Sequence, residues 1–175
     1  DLGVPSVVAS RDDVHNVCGI YPPVVNIKNE QRSNTKVEYL DCIVSRVQVR
    51  PGVWQLKTSV FNKRSKPEYK GIPVVVFPDS QAMLSNQCKY GIVYSQAHRY
   101  ARWSTFRSDF EDSVTQLIAY LVKVKHYSTQ RCLKQCYRFC QKFASKYGVG
   151  ARLQCSRNIT RKVDKALKQA TVVQV

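Results

Sequence analysis

The chain has 175 residues, enough for one domain or slightly more, and its apolar fraction of 43% suffices for a true core. Twenty-eight Lys and Arg against 12 Asp and Glu leave a formal charge of +16, which points to nucleic acid or another anionic surface as the partner. No apolar run approaches the roughly 20 residues of a membrane span, and seven cysteines, an odd number without paired spacings, argue against a disulfide framework. The expectation is an intracellular, soluble protein, nuclear or cytoplasmic, with no membrane partner. Asp1-Leu2, without an initiating Met, reads as a cut through a longer polypeptide.

The first third has strand character. Val24–Lys28 follows the Pro22-Pro23 pair as a short strand. Lys36–Val49 is rich in β-branched and aromatic residues, and Arg50-Pro51-Gly52 then makes a turn. Val53–Phe61 returns with Trp54, Leu56 and Val60 on one face, which completes a β-hairpin pattern. Ile72–Phe77 is a further apolar strand, closed by Pro78-Asp79.

From Tyr90 the apolar period changes from two to 3.6. Val93, Ala97, Tyr100 and Ala101 share a face, with Arg99 and Arg102 beside it. A second helix starts at Ser108, where Ser108 and Glu111 have the spacing of a capping box, and its inward stripe is Phe110, Val114, Leu117, Ile118 and Leu121. A third runs from a Ser128 cap to Tyr147, stopped by Gly148, with Gly148-Val149-Gly150 as a hinge. A fourth spans about Asn158 to Ala170, with Ile159, Val163 and Leu167 inward. The fold class is therefore α+β, a small antiparallel hairpin or sheet followed by a helical bundle. The division falls into a β-rich part, 1–88, and a basic helical part, 89–175.

Val114 to Val175 carry 13 Lys and Arg against one acid, Asp164. Arg131, Lys134, Arg138, Lys142 and Lys146 recur at steps of three and four, along one side of the third helix. Cations without neighbouring acids repel one another, and nucleic-acid phosphate is the usual partner of such a row; the bland reading is a solvated basic face. Tyr, Phe and Trp interleave with cations between Tyr90 and Arg107, a mixture that serves base stacking and phosphate pairing as well as core building.

Catalytic chemistry finds little support. Cys132, Cys136 and Cys140 lie at i, i+4 and i+8, so the outer two stand about 12 Å apart on a helix and cannot share one zinc ion with bonds near 2.3 Å. Two of them could serve with His126 or Cys155, but Leu133, Tyr137 and Phe143 alongside favour core packing. Asp12-Asp13, with Asp41, is the material for a metal-dependent nuclease, yet a two-metal site needs carboxylates converging from separate elements. His15, His98 and His126 have no Ser or Cys partner at an identifiable spacing, and neither common Gly-rich phosphate loop occurs. No catalytic residue and no metal ligand is assigned.

Ile20-Tyr21-Pro22-Pro23, Tyr39-Leu40-Asp41, Lys63-Arg64, Val75-Val76-Phe77-Pro78, Tyr90-Gly91-Ile92-Val93-Tyr94-Ser95-Gln96 with Arg99-Tyr100-Ala101-Arg102, Phe110, and Tyr137-Arg138-Phe139 follow one another in order. Together, over about residues 20–150, they resemble the C-terminal part of retroelement reverse transcriptases of the non-LTR and Penelope-like neighbourhood. The resemblance implies an RNA-directed DNA polymerase whose palm ends near Tyr39-Leu40-Asp41 and whose thumb follows Tyr90 and holds the template–primer duplex of RNA and DNA. The family's aromatic-x-Asp-Asp metal motif is missing, and Asp1-Leu2 stands about where its last aspartate and the next residue would fall. Ser65-Lys66-Pro67 also follows Lys63-Arg64 where an acidic pair is usual. The resemblance thus implies magnesium for the parent polymerase and none for this fragment, partners in the upstream fingers and palm, and no activity of the chain alone. Its nucleic-acid contacts fall on Lys63, Arg64, Ser95, Gln96, Arg99, Arg102, Arg131, Lys134, Arg138 and Lys142. The competing reading is a complete small basic protein that packages nucleic acid without catalysis.

Overall fold

The structure is a computed structural model that describes residues 35–39, 42–61, 77–143, 146 and 152–169. The described residues belong to one compact unit, residues 35–175. It is α+β: a three-stranded antiparallel sheet in the order β1-β2-β3, then four helices. The strands expected at Val24–Lys28 and in residues 72–76, the Lys63-Arg64 loop, Asp12, Asp13 and Asp41, and the Gly148–Gly150 hinge lie outside the described residues.

Strand β1 (Lys36–Tyr39) pairs with β2 (Cys42–Arg50), Tyr39 opposite Cys42, so the β-rich stretch Lys36–Val49 holds two strands. Strand β3 (Val53–Val60) returns along β2 from Arg50↔Val53 to Cys42↔Val60. Pro51 precedes Gly52, whose φ of 78° is the left-handed value that a type II turn needs and that glycine adopts without strain. Such a turn splays a two-residue hairpin, and the register shift between Gln48 and Arg50 supplies the compensating bulge. Trp54 and Leu56 do share a face, but it is an exposed one, at 48% and 67%. Alternation marked the strand correctly and left its covering unspecified. The Arg46 guanidinium lies 4.4 Å over the Trp54 ring instead.

The outer edge of β3 is covered at Thr58. The Thr105 N–H donates to the Thr58 carbonyl (3.0 Å), and the Thr58 N–H donates to Thr105 Oγ1 (2.9 Å). Lys57 reaches Asp109 at 2.9 Å beside them. At Thr58 the turn between the first two helices thus takes the hydrogen-bonding groups that an edge strand would otherwise offer to another chain.

Helix α1 (Asn86–Trp103) begins before the periodic residues do, because Ser85 caps it, its hydroxyl accepting from the Cys88 N–H at 3.2 Å. Tyr90, Val93, Ala97 and Ala101 are buried, while Tyr100 is half-buried. Helix α2 (Arg107–Lys125) buries all five residues of its expected stripe. His126 ends it in the left-handed conformation (φ 57°), and the Tyr127 N–H reaches back to the Leu121 carbonyl. Helix α3 (Thr129–Phe143) follows, with the Ser128 carbonyl accepting from Cys132. Helix α4 (Arg152–Gln169) starts six residues before the expected Asn158, since buried Cys155 extends the Ile159–Val163 stripe by another turn.

The expected capping box is corrected. Helix α2 has Phe106 at its N-cap, with no side-chain cap bond. Glu111, only 4% exposed, turns into the bundle. Its Oε1 accepts from Arg107 Nε (2.8 Å) and Asn158 Nδ2 (3.1 Å), and its Oε2 meets Lys162 Nζ at 3.1 Å. A carboxylate sunk against α4 cannot return to the backbone at Ser108. Glu111→Ala should therefore lose about 1.5–3 kcal/mol, the worth of hydrogen bonds to charged groups, whereas Ser108→Ala should stay within about 0.5 kcal/mol. Urea unfolding of both variants checks this; equal losses would restore the capping box.

Candidate nucleic-acid interface

Charge is segregated within the described residues. The ion pairs gather at the start of α2, where Asp109, Glu111 and Asp112 are taken by Lys57, Arg107 and Lys162. Helix α3 has no acid at all, and α4 has only Asp164. On α3, Arg131, Lys134, Arg138 and Lys142 are all exposed, and none forms an ion pair among the described residues. At 100° per residue these four fall within a quarter of the helix circumference, opposite the buried Cys132, Cys136, Phe139 and Cys140.

Two surface grooves flank that stripe. One, of about 610 Å³, lies between α1 and α3 and is lined by Gln87, Gly91, Tyr94, Gln135, Arg138, Gln141 and Lys142. The other, of about 600 Å³, lies between α3 and α4, with Lys134 joined by Arg157 and Arg161. The structure therefore divides the expected row: Arg138 and Lys142 serve the first groove, Lys134 the second. Arg131 lies 5.5 Å over the Tyr90 ring, its charge still facing water.

The residues expected on α1 are placed differently. The Ser95 hydroxyl donates to the Ile92 carbonyl at 3.0 Å, within its own helix. Gln96 Oε1 accepts from Arg99 at 3.4 Å, and Arg99 is half-buried. Arg102 is exposed, 6.0 Å from the Trp103 ring centre. None of these four lines either groove. Sequence reasoning missed Arg157 and Arg161; their i, i+4 spacing was legible, but a helix started at Asn158 leaves Arg157 outside it.

Under the grooves lies a core of aromatic rings and thiols. Cys132, Cys136, Cys140 and Cys155 are fully or almost fully buried, as core packing requires. Burial raises the Cys132 thiol to about 12, and Cys140 also stands at about 12, first through its hydrogen bond with Cys136. The hydrogen bond to Cys140 and burial raise Cys155 as well. The Cys132, Cys140 and Cys155 thiols stay protonated and inert at neutral pH. Among the described residues no three His, Cys, Asp or Glu side chains converge as metal ligands. No helix of the described residues is long and apolar enough to cross a membrane.

His98 sits at the mouth of the α1–α3 contact, with ring centres 4.9 Å from Phe139 and 4.2 Å from Phe143. Burial, then the charges of Lys146 and Lys142, lower its pKa from 6.5. Comparison with protein-family models, with curated proteins and with solved structures gave no match.

A lowered imidazole pKa means that the unfolded chain binds the proton more readily. Stability contributed at neutral pH is thus lost as pH falls through 6.5 towards the folded value. Thermal melts between about pH 8 and pH 5 should show a smaller decline for His98→Phe than for the parent, since Phe keeps the ring contact and takes no proton. An unchanged decline would show that His98 is not linked to folding.

Proposed function

We propose that this chain grips the sugar–phosphate backbone of an RNA–DNA duplex, as the thumb-like part of an RNA-directed DNA polymerase. The observation that carries the reading is the cation stripe of α3, without ion pairs among the described residues, running beside a groove furnished with amides and a tyrosine. Lys and Arg bind phosphate without reading bases, and Gln side chains add contacts to phosphate and sugar oxygens. A polymerase must hold whatever sequence it has just copied, so sequence-blind contacts suit it. The ordered motifs from Ile20 to Phe139 supply the polymerase half of the proposal.

In this reading the chemistry belongs to carboxylates and magnesium ions held by the upstream palm of the same polypeptide. Helix α1 would contribute Arg102 and Arg99 from outside the groove, and Lys63-Arg64 a further contact. A reducing, intracellular setting, nuclear or cytoplasmic, fits the six described cysteines, all free.

On a duplex, every phosphate that the protein ceases to neutralise lowers the slope of log affinity against log salt by about 0.9. Arg138→Ala with Lys142→Ala should flatten the slope for a labelled RNA–DNA hybrid by up to about 1.8, and equally for unrelated sequences. Fluorescence anisotropy across a salt series measures it. A slope unchanged in a folded double variant would reduce the stripe to a solvated surface.

A further inference from the structure

The groove between α3 and α4 differs from the one beside α1, whose tyrosine, Tyr94, is half-buried edge-on against His98, Phe139 and Phe143. Three cations from two helices converge on it: Lys134 from α3, and Arg157 and Arg161 from α4. All three are exposed and without ion pairs among the described residues, and the acid of α4, Asp164, does not line the groove. Arg157 and Arg161 stand one turn apart, about 6 Å along the axis, a step on the scale of neighbouring phosphates in an extended strand. The groove also has an aromatic wall. Tyr137 is 39% exposed, and its hydroxyl accepts from Gln141 Nε2 at 2.6 Å, which ties the ring to its own helix. Leu133 adds an apolar patch to the lining.

Cations alone would suit any polyanion. A fixed, accessible ring beside them favours one class, because a paired base in a duplex hides its faces in the stack while an unpaired base offers them. We infer that the α3–α4 groove is a second nucleic-acid site, which takes a single strand of RNA or DNA with phosphates on Lys134, Arg157 and Arg161 and a base stacked on Tyr137. This rests on the reading of the bundle as a nucleic-acid binder. It adds that duplex and single strand occupy different faces of α3, so that one helix holds both at once.

Fluorescence anisotropy of the full chain with labelled oligothymidylate, beside a labelled RNA–DNA hybrid, separates the two sites. On a single strand every phosphate no longer neutralised lowers the salt slope by about 0.7, so Arg157→Ala with Arg161→Ala should lower it by up to about 1.4 and leave the hybrid slope in place. Tyr137→Leu should weaken oligothymidylate binding about 5- to 150-fold at fixed salt, and Tyr137→Phe should keep most of the affinity. The Arg138→Ala, Lys142→Ala variant should do the reverse, losing hybrid and keeping oligothymidylate. The inference is overturned if the parent chain does not bind oligothymidylate, if the α4 and Tyr137 variants bind it as the parent does, or if they lose hybrid to the same extent. The duplex reading fails separately, if the Arg138 and Lys142 changes leave hybrid binding intact. Circular dichroism melts confirm that each variant is folded.

Discussion

Glu111 decides where the charge of this molecule goes. Its buried carboxylate holds Arg107 of its own helix and reaches Asn158 and Lys162 of α4, so the α2–α4 contact is built on an ionic network. Asp112 and Asp109 complete the same neighbourhood with Lys162 and Lys57. The acids of α2 are thereby spent on holding the bundle together. What remains on the outer faces of α3 and α4 is positive charge with almost no counter-charge. In water, like charges about 6–10 Å apart repel by only roughly 0.4–0.7 kcal/mol, and salt reduces that further. The fold tolerates such a surface at small cost, and in the proposed reading phosphate would relieve it.

The interior explains how cationic faces come to border grooves. Helix α3 presents thiols at Cys132, Cys136 and Cys140, and α4 answers with Cys155; these are small side chains that let backbones approach closely. Phe139 supplies the bulk, stacked near Phe110 and Phe143, and Tyr94 with His98 extends the ring cluster towards α1. The long side chains of Arg138, Lys142, Lys134 and Arg161 line the grooves at the rim of these contacts. The same periodicity that buries sulfur on one side of α3 delivers cations to the other.

Much of this was legible in the residues themselves. The inward stripe of α2 follows directly from its 3.6 period, and the Pro51-Gly52 turn from the conformations that those two residues prefer. Failures arose where one residue type has two uses. Glu111 has the spacing of a capping residue, but a carboxylate three residues from a serine is also one turn from an arginine, and Arg107 with Lys162 held it more strongly. Cys155, weighed as a metal ligand, was not counted as a core residue, and α4 lost its first turn and with it Arg157. Ser85 precedes Asn86-Gln87-Cys88, which carries no apolar period, so the cap of α1 gave no signal. Grooves between helices depend on which faces pair, and periodicity within a single helix does not encode that.

The central claim of the proposal is that Arg138 and Lys142 of α3 meet the phosphates of a duplex. Lysine acetylation footprinting with mass spectrometry measures it residue by residue, on the chain alone and saturated with an RNA–DNA hybrid. Lys142 should lose reactivity in the complex, while Lys134 of the other groove, Lys123, bonded to the Ala166 carbonyl at 2.7 Å, and Lys57, paired with Asp109, should keep the reactivity they have. Protection spread equally over all lysines, or confined to Lys57 and Lys123, would contradict the account.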